Sequence, residues 1–69
     1  MTEDARWRQI ISEAEGRVSD SAAFRSGLSA GSVGRARKPP REFFRRAGSW
    51  FAGYDVGAQW RAERAEIAA

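Results

Sequence analysis

The chain of 69 residues contains no cysteine and no histidine. Without cysteine there is no disulfide and no thiolate ligand, and without histidine the commonest metal ligand and the usual general base are missing. Serine, aspartate and lysine are present, but no nucleophile–base pair can be argued without histidine or cysteine. The carboxylates of Asp20, Glu42 and Asp55 are spread over three segments. We therefore expect a protein that is not an enzyme and that has no cofactor and no metal site.

Long apolar runs are also missing, and residues that favour strands are few. No run approaches the ~18–20 apolar residues of a membrane span, and the first residues, MTEDARWR, are acidic where a signal peptide would be apolar. We expect no membrane partner and a cytoplasmic protein. The chain has one threonine, three valines and three isoleucines, whereas alanine, arginine and glutamate are abundant. This composition predicts an all-α fold in one small domain of about three helices with a basic, proline-containing connector.

The first predicted helix is Thr2–Glu15. Thr2 is a good N-cap, and Gly16 is a suitable stop. Apolar residues from Trp7 to Ala14 follow the i, i+3, i+4, i+7 pattern, which predicts one apolar stripe.

The second predicted helix begins at Ser19 or Asp20 and ends at about Ser32. Gly27 and Gly31 lie inside it, where each glycine costs about 1 kcal/mol relative to alanine. Two interpretations stay open: the glycines let another backbone approach closely, with the Gly53 region as the expected partner, or the helix frays after Leu28.

The third helical region begins near Pro40 or Arg41 and carries a broad aromatic stripe up to Tyr54. Gly48-Ser49 either interrupts this region or bends it. Charged residues after Trp60, among them Glu63, are expected to face solvent. The predicted core consists of Trp7, Ile10, Ile11, Phe24, Leu28, Phe43, Ala47, Trp50, Phe51 and Tyr54.

Basic residues are concentrated in the segment Gly34–Arg46, here called the basic segment. It carries six of the twelve basic residues and a single acid, hence net +5 in a chain of net +3. Pro39 and Pro40 make its first half stiff and extended, which predicts that its cations are held away from the helices. Such a patch most often meets phosphate, and the alternative is a solvated loop without a partner. The candidate nucleic-acid-binding residues are Arg35, Arg37, Lys38, Arg41, Arg45 and Arg46.

Two blocks of the chain resemble the ribosome modulation factor family. They are GLSAGSVGR at Gly27–Arg35 and SWFAGY at Ser49–Tyr54, and a basic connector separates them at a spacing close to the family's. The family usually has a Cys-Pro-Tyr or Asn-Pro-Tyr step in the connector, where this chain has Pro39-Pro40-Arg41. The family is also usually a two-helix unit, whereas here a further amphipathic helix precedes it.

The resemblance implies RNA or ribosome binding without catalysis, because members of the family silence ribosomes by binding near the messenger exit region of small-subunit RNA. It also implies a division of the single domain 1–69. An extra N-terminal helix occupies 1–16, the family-like unit 19–60, and a fraying helical tail 61–69.

A second hypothesis stays open beside RNA binding. The chain can instead be a small inhibitor of a host protein or nucleoprotein complex, for example an anti-defence protein of a mobile element. Binding to duplex DNA ranks last, because no helix carries an obvious set of base-reading side chains on one face.

Overall fold

The computed structural model describes residues 2–68, and of Ala68 the backbone alone. It contains helix α1 (Glu3–Glu15), helix α2 (Ser21–Ser32), a 3₁₀ helix η1 (Arg41–Arg46) and helix α3 (Ala47–Ala68). No β-strand occurs within residues 2–68. The prediction of a small all-α domain with three main helices is confirmed.

Side-chain caps fix where α1 and α2 begin. The Thr2 hydroxyl accepts a hydrogen bond from the Ala5 amide at 3.2 Å, and the Asp20 carboxylate accepts one from the Ala23 amide at 3.0 Å. Each cap satisfies an amide that has no partner inside its own helix. At the other end of α1, Gly16 is the C-cap residue, as its position predicts.

The third helical region is divided into two kinds of helix. Arg41–Arg46 forms the 3₁₀ helix, and the α-helix begins at Ala47. Gly48 and Ser49 lie inside α3 and do not interrupt it. Ser49 is buried, and its hydroxyl accepts a hydrogen bond from the Asp20 amide at 3.2 Å, which joins the beginnings of α2 and α3.

Helices α2 and α3 pack backbone against backbone. A Cβ atom added to Gly27 would overlap the carbonyl oxygen of Trp50, and one added to Gly53 would overlap that of Phe24. Gly31 faces Tyr54 in the same manner. The prediction that small residues allow close approach here is therefore confirmed. Gly57, which packs on the Leu28 carbonyl, extends this contact, here called the glycine seam (Gly27, Gly31, Gly53 and Gly57).

The order of these contacts shows that α2 and α3 are parallel. Gly27 lies between Trp50 and Tyr54, and Gly31 lies one turn further along both helices, near Ala58. Residues 33–46 must therefore return from the end of α2 to the start of α3. This return path is the reason why the basic segment crosses the side of the seam.

Helix α1 runs antiparallel to α3. Arg6 donates to the Glu63 carboxylate at 2.7 Å, and the bond raises the pKa of the Arg6 guanidinium. Ile11 and Trp60 lie further along, beside one small apolar groove. Glu63, which was expected to face solvent, has a side chain that is 32% exposed and is paired with Arg6, because α3 continues as a helix beside α1. The predicted tail 61–69 belongs to α3 as far as Ala68, and Ala69 and Met1 lie outside the described residues.

The core is small because the molecule is flat. Its Cα atoms extend over 36 × 24 × 11 Å, so much of each helix faces solvent. The buried hydrophobic side chains among the described residues are Trp7, Ala23, Phe24 and Trp50. The other members of the predicted core are half-buried, and none of them is exposed.

Candidate nucleic-acid interface

The six predicted cations all lie on exposed positions along the return path from α2 to α3. Arg35, Arg37 and Lys38 precede the two prolines, and the other three lie on η1. The structure divides them further, because Arg35 and Lys38 line a cleft beside α2, whereas Arg37 turns towards α3.

Backbone contacts hold the first part of the basic segment on the helices. The Arg35 amide donates to the Ala30 carbonyl at 3.0 Å, and the Arg35 carbonyl accepts a hydrogen bond from the Tyr54 hydroxyl. Gly34 turns the chain with a φ of 76°, in the left-handed region that glycine adopts without strain. The backbone that carries Arg35 is thus fixed before any partner arrives.

Arg37 is folded back onto α3. Its Nε and Nη2 atoms each lie 3.1 Å from an oxygen of Asp55, and its guanidinium carbon lies 4.3 Å from the centre of the Phe51 ring. The hydrogen bonds to Asp55 raise the pKa of Arg37. The expectation that the prolines hold every connector cation away from the helices is wrong for Arg37. Its charge is already partly matched, so it offers less to a phosphate than its neighbours do.

Four of the six cations form no ion pair with any residue that the structure describes. They are Arg35, Lys38, Arg41 and Arg45. Arg46 has a distant partner, with its Nε atom 3.9 Å from Asp20. A contact of that length between exposed groups neutralises little charge. The surface therefore keeps most of the positive charge that the sequence places there.

An exposed aromatic side chain lies among the cations of η1. Phe44 is 62% exposed, whereas its neighbour Phe43 is half-buried. Phe44 follows Arg41 by three residues, which is one turn of a 3₁₀ helix, so the two share a face. An exposed ring beside cations is a surface on which an unpaired base can stack.

The cleft beside α2 has a volume of about 320 Å³. Its lining includes Ser26 and Ser29 from α2, Arg35 and Lys38 from the basic segment, and Trp50 from α3. The Trp50 indole donates to the Ser26 hydroxyl at 3.2 Å. Polar and cationic groups from three parts of the chain thus converge on one concavity.

No local sequence pattern marks Ser26, Ser29 or Arg61 as site residues. The two serines become part of the site because the basic segment folds over their face of α2. The Arg61 guanidinium lies against Gly34, where it adds a cation to the same side. The one signal that points to Arg61 is the register of the glycine seam. In that register, each residue of α3 faces a part of the chain that lies about 26 positions earlier.

No group of three or more acidic, cysteine or histidine side chains within the described residues is arranged to hold a metal ion. No described helix is long and apolar enough to cross a membrane. Comparison with known proteins gave no match to a family model, to a curated protein sequence or to a solved structure.

Proposed function

We propose that this protein is a non-catalytic binder of structured RNA, with the ribosome as the favoured target. The observation that carries the proposal is a set of four cations that form no ion pair within residues 2–68, together with exposed Phe44, on one short stretch of the chain. Phosphate is the partner that such a surface fits, because each neutralised phosphate releases condensed counterions.

Recognition would depend on backbone and shape more than on sequence. Arginine can contact two phosphate oxygens at once or stack on a base, and Phe44 can stack on any exposed base. Acidic side chains near this surface are few. Asp55 is paired with Arg37, Asp20 caps α2, and Glu42 is the one acid within the basic segment. The choice of the ribosome among structured RNAs rests on the resemblance of Gly27–Arg35 and Ser49–Tyr54 to the ribosome modulation factor family.

The test compares two double variants that change the net charge equally. Arg41→Glu with Arg45→Glu reverses the charge of η1, whereas Arg8→Glu with Arg17→Glu reverses two exposed arginines elsewhere. We expect the η1 variant to bind ribosomal RNA at least tenfold more weakly at about 0.1 M salt. The slope of log affinity against log salt concentration should become shallower by about 1.4, because two phosphate contacts are lost at about 0.7 each. The control variant should keep more of the affinity and more of the salt slope.

Equal losses in the two double variants, with helicity unchanged by circular dichroism, would contradict an interface at η1. Sedimentation of a lysate then tests the ribosome itself, because the natural protein should travel with ribosomal particles and the η1 variant should not.

A second candidate function is inhibition of a host protein or nucleoprotein complex, and one observation favours it. Trp7 is buried beside a groove of about 550 Å³ between α1 and α3, and its indole nitrogen has no hydrogen-bond partner within residues 2–68. Because that nitrogen is buried, a partner would meet the apolar lining of the groove, which includes Ile10 and Ala62. Salt separates the two functions, because RNA binding weakens steeply as salt rises, while a protein interface of aromatic side chains weakens little.

A further inference from the structure

The cleft between α2 and the basic segment is small, with a volume of about 320 Å³. That volume lies at the lower end of the roughly 300–1,000 Å³ of ligand sites, so it suits one small group such as a single nucleotide and not a paired duplex. We propose that this cleft receives one unpaired nucleotide of the bound RNA. The proposal rests on the proposed function and names the feature of RNA that the protein selects.

Hydrogen-bonding groups in the cleft are suited to the edge of a base. Ser26 and Ser29 are three residues apart, so they lie on one face of α2. The Ser26 hydroxyl accepts the Trp50 indole proton and donates to no acceptor within residues 2–68, so its own proton is available. The Ser29 side chain is exposed and can both donate and accept.

The same cleft offers cations for the phosphate and apolar surface for the base. Arg35 and Lys38 line it, and neither forms an ion pair with a described residue. Ala30, Ala36 and Pro40 contribute apolar lining. A nucleotide combines a flat apolar face, a polar edge and an anion, and the cleft presents a partner for each.

The wall of the cleft is held in place before binding. The Arg35 backbone is tied to Ala30 on one side and to the Tyr54 hydroxyl on the other. The Trp50 side chain is 1% exposed and fixed by its bond to Ser26. Little ordering is therefore needed when a nucleotide enters, which favours affinity.

Three synthetic RNA hairpins test the proposal. The first is fully paired, the second has a single bulged adenosine, and the third has an abasic sugar at the bulge. We expect the natural protein to bind the bulged hairpin at least tenfold more tightly than the paired one, and the abasic hairpin to lose that gain. Adenosine monophosphate alone should bind far more weakly than the bulged hairpin.

A matched pair of variants locates the effect. Ser29→Leu places a larger side chain in the cleft at an exposed position of α2. Ser12→Leu makes the same change at an exposed position of α1. We expect Ser29→Leu to lose the at least tenfold preference of the natural protein for the bulged hairpin over the paired one. Ser12→Leu should keep the full preference.

Each remaining outcome overturns the proposal in a distinct way. Equal binding of all three hairpins by the natural protein would refute the nucleotide cleft and leave RNA binding intact. Tight binding of adenosine monophosphate alone would make the cleft a small-molecule site. Binding of no hairpin would refute the proposed function together with this inference. The comparison with the abasic hairpin uses the natural protein, so it holds even where a variant is unstable.

Discussion

The glycine seam and the basic segment both contact α3, but they do so with different parts of the chain. In the seam, backbone meets backbone, and there is no room for even one Cβ atom. The basic segment is held by a hydroxyl, an ion pair and a ring contact, and its other cations extend into solvent. Changes in the seam should therefore act on folding, whatever their charge, and changes in the basic segment should act on binding.

The largest effect should come from Trp50, which lies at the seam and is almost fully buried. Trp50→Ala should destabilise the protein by about 3–5 kcal/mol, because it leaves a cavity. A core this small supplies about that much stability in total, so the variant should be largely unfolded at room temperature. Urea denaturation followed by circular dichroism measures this. The control is exposed Phe44→Ala, which should change stability by about 0.5 kcal/mol or less. A urea denaturation curve of Trp50→Ala close to that of the natural protein would show that this side chain lies outside the core.

A single methyl group should have the next largest effect. Gly53→Ala should destabilise by about 1–3 kcal/mol, because the helices must separate to admit a Cβ that would overlap the Phe24 carbonyl. The control is Gly48→Ala in the same helix, where an added Cβ would meet nothing within 4 Å. That change should stabilise by about 0.5–1 kcal/mol. Chemical denaturation measures the change in unfolding free energy of each variant. If close packing in the seam is the cause, Gly53→Ala must lower the stability and Gly48→Ala must raise it.

A smaller effect, on binding alone, is expected at the ion pair between Arg37 and Asp55. Asp55→Asn removes the acid that now occupies Arg37, so RNA affinity should rise a few-fold at low salt. The melting temperature should hardly change, because exposed ion pairs contribute little to stability. Asp4→Asn, at an exposed position of α1, makes the same change in charge and serves as the control. An equal gain in both variants would show that net charge alone is responsible.

The smallest effect should be the pH dependence that Glu15 contributes. The Ser21 hydroxyl and then Arg25 lower the pKa of this carboxylate in the folded protein. Its contribution to stability is therefore present above the ordinary glutamate pKa of about 4.3 and is lost as pH falls through the lower folded value. Glu15→Gln should reduce the drop in melting temperature below about pH 5, and exposed Glu66→Gln should not. A drop unchanged in Glu15→Gln would contradict this assignment.

Local sequence signals were sufficient to predict the helices, because caps and periodicity act within one or two turns. Thr2 and Asp20 begin helices as predicted, and Gly16 ends one. Gly27 and Gly31 left two interpretations open, and the structure shows close approach of a partner helix and no fraying after Leu28, because α2 continues to Ser32. The 3₁₀ form of Arg41–Arg46 has no comparable local signal.

The parts of the site that could not be predicted depend on how distant residues are brought together. Arg37 and Asp55 are 18 positions apart, and their pairing follows from the return path along parallel helices. Arg6 and Glu63, 57 positions apart, meet because α1 is antiparallel to α3. No periodicity within one segment contains this information. The six cations were predicted as a group, and the structure distinguishes Arg37 from the rest.

The parallel arrangement of α2 and α3 has a consequence for the approach of a polyanion from a distance. Helix dipoles that point the same way add, so the amino-terminal ends of both helices form one positive pole, which α1 only partly opposes. Arg45 and Arg46 lie directly before α3, at that same pole. For the RNA partner proposed above, a field with this orientation would turn the protein during diffusion so that η1 faces the RNA before contact, which would shorten the search for the bound geometry.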